Sequence, residues 1–209
     1  MKKTLFLLLS CMAILLFSCG KVTVPGGGEG SVDTITDGAA SEPVLELLPF
    51  DEPMLLTFSS GAGAWRTELV LLPDGSFEGH FFDGEMGDRD EEKYPYGTRY
   101  VCNFVGSFYN ITKISDTSYS LQIKNLECEK AEGEEWIEEG VRFVSSIPYG
   151  MEGKDFVFYT PDAPYAELPE YVQLWDYRYF AHDERPEKLG LYSLYSTTGA
   201  NAFFSQEAS

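Results

Sequence analysis

The 17 residues Trp65-Arg66-Thr67-Glu68-Leu69-Val70-Leu71-Leu72-Pro73-Asp74-Gly75-Ser76-Phe77-Glu78-Gly79-His80-Phe81 decide the fold. Trp65, Thr67, Leu69 and Leu71 alternate with Arg66, Glu68 and Val70, the period of two expected of a strand with one buried face. Pro73-Asp74-Gly75-Ser76 then supplies a proline whose φ is preset for a turn and a glycine that accepts positive φ. Phe77, Gly79 and Phe81 resume the alternation. The stretch therefore predicts a β-hairpin, and with it an antiparallel sheet.

The same rhythm extends outward in both directions. Met54–Phe58 reads as a strand, separated from the hairpin by the side-chain-poor loop Ser59-Ser60-Gly61-Ala62-Gly63. Asp83 to Gly97 is acidic and apolar-poor, and is expected to be a long exposed loop. A second hairpin follows, with Tyr100, Cys102, Phe104 and Phe108 facing Tyr119, Leu121 and Ile123 around Ile114-Ser115-Asp116-Thr117. Glu127 to Gly140 holds 7 Glu and is expected to extend that hairpin into a solvated loop. Val141–Ser145 and Asp155–Tyr159 make two more strands across the break Pro148-Tyr149-Gly150. In Glu167 to Tyr179, Leu168, Val172, Trp175 and Tyr179 recur at spacings of 4, 3 and 4, which predicts one amphipathic helix with Pro169 in its first turn. Leu189 to Ser196 alternates weakly and is expected to close the sheet. The fold class is mainly β: a single small antiparallel β-barrel or strongly curved sheet of seven or eight strands with one C-terminal helix. Closure removes the edges that a sheet would otherwise expose. Lipocalins share that outline, although no lipocalin motif is present.

The N-terminus carries an address. Met1-Lys2-Lys3 is followed by an apolar run from Leu5 to Phe17, too short for the about 20 residues that a bilayer-spanning helix needs and proportioned like a secretory signal. It ends in Leu16-Phe17-Ser18-Cys19-Gly20, which resembles a bacterial lipobox, with Phe17 bulkier than is usual at its position. The expectation is a lipoprotein signal peptide over residues 1–18, acylation (palmitate) of Cys19, and a lipid anchor with flexible tether over residues 19–43. The tether is rich in Gly and Ser, including Gly26-Gly27-Gly28, and its length corresponds to about 25 Å of stand-off. Residues 44–209 form the β-rich globular domain.

Charge narrows the choice of partners. The chain has 34 acidic and 15 basic side chains, and removal of residues 1–18 takes Lys2 and Lys3 and no acid, leaving 13 basic side chains and a net −21. Such a surface repels phosphate backbones, so nucleic acid is excluded as a partner. A hydrophobic content of 44% and an aromatic content of 15% also exclude a disordered acidic chain. The membrane is reached through the N-terminal lipid, against repulsion of the domain. The acids of residues 83–92 and 132–139 lack the ligand spacing of a calcium loop and read as solvated. No metal or cofactor is expected.

Two cysteines remain after lipidation, Cys102 and Cys128. A three-residue turn centred on Ser115 places Cys102 opposite Cys128 and Phe104 opposite Leu126. That register permits a disulfide closing 27 residues, worth about 3.5 kcal/mol in the chain-entropy model. The alternative is two free thiols, since a slip of one residue turns the side chains to opposite faces. Catalysis has little to build on. His80 and His182 are the only histidines, and no nucleophile elbow, phosphate-cradling glycine loop or His-Glu-x-x-His occurs. Carboxylates are too abundant for any pair to stand out. Exposed aromatics are the natural ligand contacts, and the candidates are Tyr94 and Tyr96 in Tyr94-Pro95-Tyr96, and Tyr177 and Tyr179 in Tyr177-Arg178-Tyr179-Phe180.

The run Ser59 to Leu69, containing Ser60-Gly61-Ala62-Gly63-Ala64-Trp65, continues to Pro73-Asp74-Gly75-Ser76-Phe77-Glu78-Gly79 and Met86-Gly87-Asp88. It resembles a family of uncharacterised lipoproteins of Gram-positive anaerobic bacteria. The resemblance implies a lipoprotein address and a single β-rich domain, and no activity. The expected role is a membrane-anchored, extracytoplasmic, non-enzymatic module at the cell membrane that binds a small ligand, a glycan or an envelope protein. The alternative is a cell-wall or carbohydrate hydrolase using paired carboxylates.

Overall fold

A computed structural model describes residues 46–176, 178 and 184–206, all of which belong to the unit Glu42–Ser209. The lipobox, Cys19, the tether, His182, Tyr177 and Tyr179 lie outside the described residues. Among the described residues ten strands run in chain order: β1 Met54–Ser59, β2 Trp65–Leu71, β3 Ser76–Glu85, β4 Thr98–Ser115, β5 Ser118–Cys128, β6 Glu135–Glu138, β7 Val141–Ser145, β8 Asp155–Tyr159, β9 Ser193–Ser196 and β10 Asn201–Ser205. Eight of them, β1-β2-β3-β4-β5-β8-β9-β10, form an antiparallel barrel closed by the β1–β10 pair. This is the small barrel that the alternation predicts.

The deciding hairpin pairs Leu71 with Phe77 across its turn. Gly75 takes the positive φ of +84° there, and Asp74 accepts hydrogen bonds from both the hydroxyl and the backbone N–H of Ser76. Inward positions fill the barrel with Phe58, Phe77, Phe81, Phe104, Phe108, Phe156, Phe158 and Phe203, packed among Leu56, Leu69, Leu71, Leu121 and Leu194. Rings from different strands touch: Phe77 and Phe108 at 4.9 Å between centroids, Phe108 and Phe156 at 5.3 Å, Phe58 and Phe203 at 5.4 Å. Two glycines make room. Gly79 pairs with Phe104 and Gly106 pairs with Phe77, and a Cβ built on either glycine would collide with the opposing ring. Each phenyl lies over the bare backbone of its partner strand.

The barrel has one covered wall and one open wall. The outward residues Tyr195, Ala202 and Phe204 of β9 and β10 are buried beneath Tyr165, Leu168, Val172 and Leu189, so this wall is buried on both faces. The cover includes α1, Glu170–Trp175, a shorter helix than the sequence predicts. Leu168 precedes Pro169 and is held extended at ψ 146°, so the helix cannot begin before the proline. At the other end the chain leaves the helix at Asp176, whose buried carboxylate receives two hydrogen bonds from Arg178, both of 2.9 Å.

β4 is long enough to serve three neighbours. One edge pairs with β3 from Thr98 to Ser107; the other pairs with β7 in parallel from Thr98 to Val101 and with β5 in antiparallel from Phe104 onward. Cys102 and Asn103 sit where β5 and β7 diverge, at a fork in the sheet. The register expected for this hairpin is corrected here. Cys128 pairs with Phe104 and Leu126 with Gly106, because the turn holds only Asp116 and Thr117 between Ser115 and Ser118; irregularities between Tyr109 and Thr112 and between Ser107 and Phe108 offset each other, and a third lies between Lys113 and Ser115. Asn110, at a positive φ of 50°, lies in the first of these. Cys102 and Cys128 are thus diagonal neighbours rather than direct partners.

Other boundaries move as well. β3 continues to Glu85, so the exposed loop is shorter than expected, and β6 forms a hairpin with β7 inside the stretch predicted to be solvated. β10 carries no alternation to announce it, since Asn201 to Phe204 are all buried.

Candidate functional site

The open wall presents the outward residues of β1 to β5. One row across the strands reads Leu55, Val70, Glu78, Val105, Glu127, and the next reads Thr57, Glu68, His80, Asn103. The inward positions are apolar, while the outward face of this wall mixes carboxylates with Leu55, Val70 and Val105. No helix among the described residues is long and apolar enough to cross a membrane.

A groove of about 600 Å³ runs over this wall. Leu55, Val70 and Val105 supply apolar surface, and Glu68, Glu78, Glu127 and Glu129 surround it; the lining includes His80 but no Lys or Arg. A second groove of about 190 Å³ adjoins it, sharing His80, Asn103 and Glu129 and reaching Trp136 and Phe143 on the β6–β7 hairpin. The Trp136 ring is already engaged, stacked on Phe143 at 5.2 Å with the Lys130 ammonium 4.9 Å from its centroid.

A hydrogen-bonded relay joins the two grooves. Asn103 Nδ2 donates to Glu129 Oε2 at 2.7 Å, which orients the amide, because a carboxylate only accepts. Asn103 Oδ1 then faces His80 Nδ1 at 2.7 Å, so His80 carries its proton on Nδ1 and donates it. Nε2 is left to address whatever enters the groove. The geometry suits a ligand that brings positive charge or hydrogen-bond donors to the four carboxylates, with an apolar portion over Val70 and Val105.

The acids of the flanking loops serve the scaffold. Asp88 lies 3.3 Å from the Arg142 guanidinium and accepts the Thr98 hydroxyl, and Asp90 accepts the backbone N–H groups of Glu92 and Lys93, which hold its carboxyl below the usual carboxylate range. Glu134 pairs with Lys130 at 2.7 Å.

The tyrosines singled out in the sequence lie elsewhere. Tyr94 is half-buried beneath the Arg142 guanidinium, 5.4 Å from its ring centroid, and receives a hydrogen bond from it on the phenol oxygen. Tyr96 is exposed but lies over Gly140, to whose carbonyl its backbone N–H donates. Both clamp the β3–β4 loop onto the β6–β7 hairpin, and neither lines a groove. Trp65, Tyr149 and Trp175 meet Phe58 and close one end of the barrel.

Sequence reasoning did not assemble the groove. Its members come singly from separate strands, as the polar half of an alternation whose apolar half draws attention. Only Glu68, Glu78 and His80, within one hairpin, were visible together. No family model, curated protein or solved structure matches this chain.

Proposed function

We propose that the protein is a lipid-anchored, extracytoplasmic binding module, held at the cell membrane through Cys19, that engages a cationic segment of an envelope protein over its open wall rather than a small ligand in its lumen. The observation that carries this reading is the division of the barrel: eight phenyl rings occupy the interior, while the outer wall holds a groove edged by four carboxylates. Small barrels that hold a ligand keep room for it between their strands, and here that room is taken. An acidic groove draws in basic partners at long range and loses that attraction as salt rises.

The test is titration with a deca-lysine peptide. Binding is expected to weaken with salt and to fall about fivefold to tenfold in Glu78→Gln/Glu127→Gln, as two partly solvated ion pairs are lost. Unchanged binding in that variant, or uptake of a lipophilic fluorophore into the barrel, would overturn the reading. Hydrolysis of a cell-wall glycan by the wild type, lost in the same variant, would instead favour the carboxylate-pair alternative. The anchor is tested separately: Cys19→Ser should move the protein from the membrane to the soluble fraction.

A further inference from the structure

In the structure Cys102 and Cys128 are free thiols, and the Cys102 thiol donates to Cys128 Sγ with the two sulfur atoms 2.6 Å apart, close enough to bond with little movement of either strand. Both side chains turn to the inner face of the sheet, at the fork where β4 exchanges β5 for β7. Their surroundings differ: Cys102 is buried, whereas Cys128, near the end of β5, is half-buried and the more open to solvent. From this placement we infer that Cys102 and Cys128 form a disulfide in which Cys128 is the entry thiol and Cys102 the resolving thiol, stapling the floor shared by the two grooves.

The chemistry follows from that asymmetry. The Cys128 thiolate attacks one sulfur of an external disulfide oxidant, forming a mixed disulfide and releasing one thiol of the oxidant. Cys102 then gives up its proton and attacks Cys128 Sγ, the internal bond forms, and the second thiol departs. Two protons and two electrons pass from the cysteine pair to the oxidant, which leaves as two thiols. Burial pushes the Cys102 thiol up, with the neighbouring Cys128 acting in the same direction. Cys102 is therefore the poorer first nucleophile, and it reacts once the mixed disulfide is placed against it. Nothing in this scheme depends on the occupant of the groove, so it stands or falls apart from the proposed binding function.

Peptide mapping after exposure to oxidised glutathione tests it. Trypsin releases Cys102 in Tyr100–Lys113 and Cys128 in Asn125–Lys130. The two peptides are expected to appear joined without reductant and separate with it. Alkylation of both thiols after oxidation, or glutathione retained on either one, would overturn the bridge. Cys102→Ser should trap glutathione on Cys128, whereas Cys128→Ser should leave Cys102 unmodified; the opposite pattern would overturn the assigned order. Should a variant fail to fold, the wild-type map still decides the bridge. Reduction of the native protein should lower Tm by about 10 °C, and an unchanged Tm in the same scan would overturn the stapling role.

Discussion

Gly79→Ala is a sensitive probe of how the barrel is filled, because two effects of opposite sign meet at this position. Alanine fits a strand interior better than glycine by about 0.5–1 kcal/mol, chiefly through the entropy of the unfolded chain. Intrinsic preference alone therefore predicts a more stable protein. The structure predicts the reverse. A Cβ at residue 79 would run into the Phe104 ring and into the Glu68 carbonyl oxygen of β2. The ring has little freedom to retreat, since Phe77 packs edge-on to it at 6.3 Å, and the carbonyl belongs to the backbone of a paired strand. Overpacking of this kind costs about 1–3 kcal/mol, so the net loss is about 1–2 kcal/mol. That corresponds to a fall in Tm of about 3–6 °C for a domain of this size. Urea denaturation of Gly79→Ala, Phe104→Leu and the double variant reads the effect directly. The double variant should lose less than the sum of the two single losses, with a coupling of about 0.5–3 kcal/mol, as expected for residues in contact. Gly84→Ala on the same strand is the control, because the nearest atom to its Cβ, the Ala64 carbonyl oxygen, is 3.9 Å away. A stable Gly79→Ala, or losses that simply add, would refute the ring-over-glycine account.

Asp176→Ala should destabilise the domain by about 3 kcal/mol in urea, because it removes a buried carboxylate and strips a half-buried guanidinium of its bidentate partner; a loss near the about 0.5 kcal/mol of a surface pair would show that the Asp176–Arg178 pair does not secure the covered wall. Asp74 gives a pH dependence. The Ser76 hydroxyl, and after it the Ser76 amide, hold the Asp74 carboxyl below its ordinary value. Its contribution is thus complete above the unfolded carboxylate range near about 3.9 and disappears as pH falls through the lower folded value. The stability gap between wild type and Asp74→Asn should be small, present at neutral pH and closed in acid; a gap that persists in acid would count against the turn hydrogen bonds as its source. Arg142→Ala should loosen the clamp between the Tyr94 loop and the β6–β7 hairpin, read as faster amide exchange at Tyr94 and Tyr96 with the barrel strands unaffected.

Much of the barrel was legible because its strands carry one buried face. Trp65 to Phe81 alternate cleanly, and β2 and β3 follow. Legibility failed where that condition fails. β10 is buried on both faces, so Ala202-Phe203-Phe204 reads as a tail rather than a strand. The β4–β5 register escaped because a uniform pairing about Ser115 anticipates neither the two-residue turn nor the irregularities along the ladder, one of them at Asn110; the shift is two residues at Phe104 and one at Phe108. The predicted helix was sound in its apolar face, with Leu168 and Val172 both buried, but the constraint that Pro169 places on Leu168 shortens it. The groove was the least legible feature, since it requires Leu55, Glu78, His80, Val105 and Glu127 to lie side by side, and their adjacency exists only after four strand pairings are known.

The closing pair of the barrel has a kinetic consequence. Leu56 of the first strand lies beside Ser205 of the last, so the seam is the contact of longest sequence separation in the cylinder. A chain made from its N-terminus must carry β1 with one edge unpaired until β10 has been added. Contacts of such range are slow to form, and an open edge invites pairing with another chain in the interval. Completion of the cylinder is therefore a late event, and loss of Phe204 and Ser205, which make both β1 pairings, would leave an open sheet with its aromatic lining accessible.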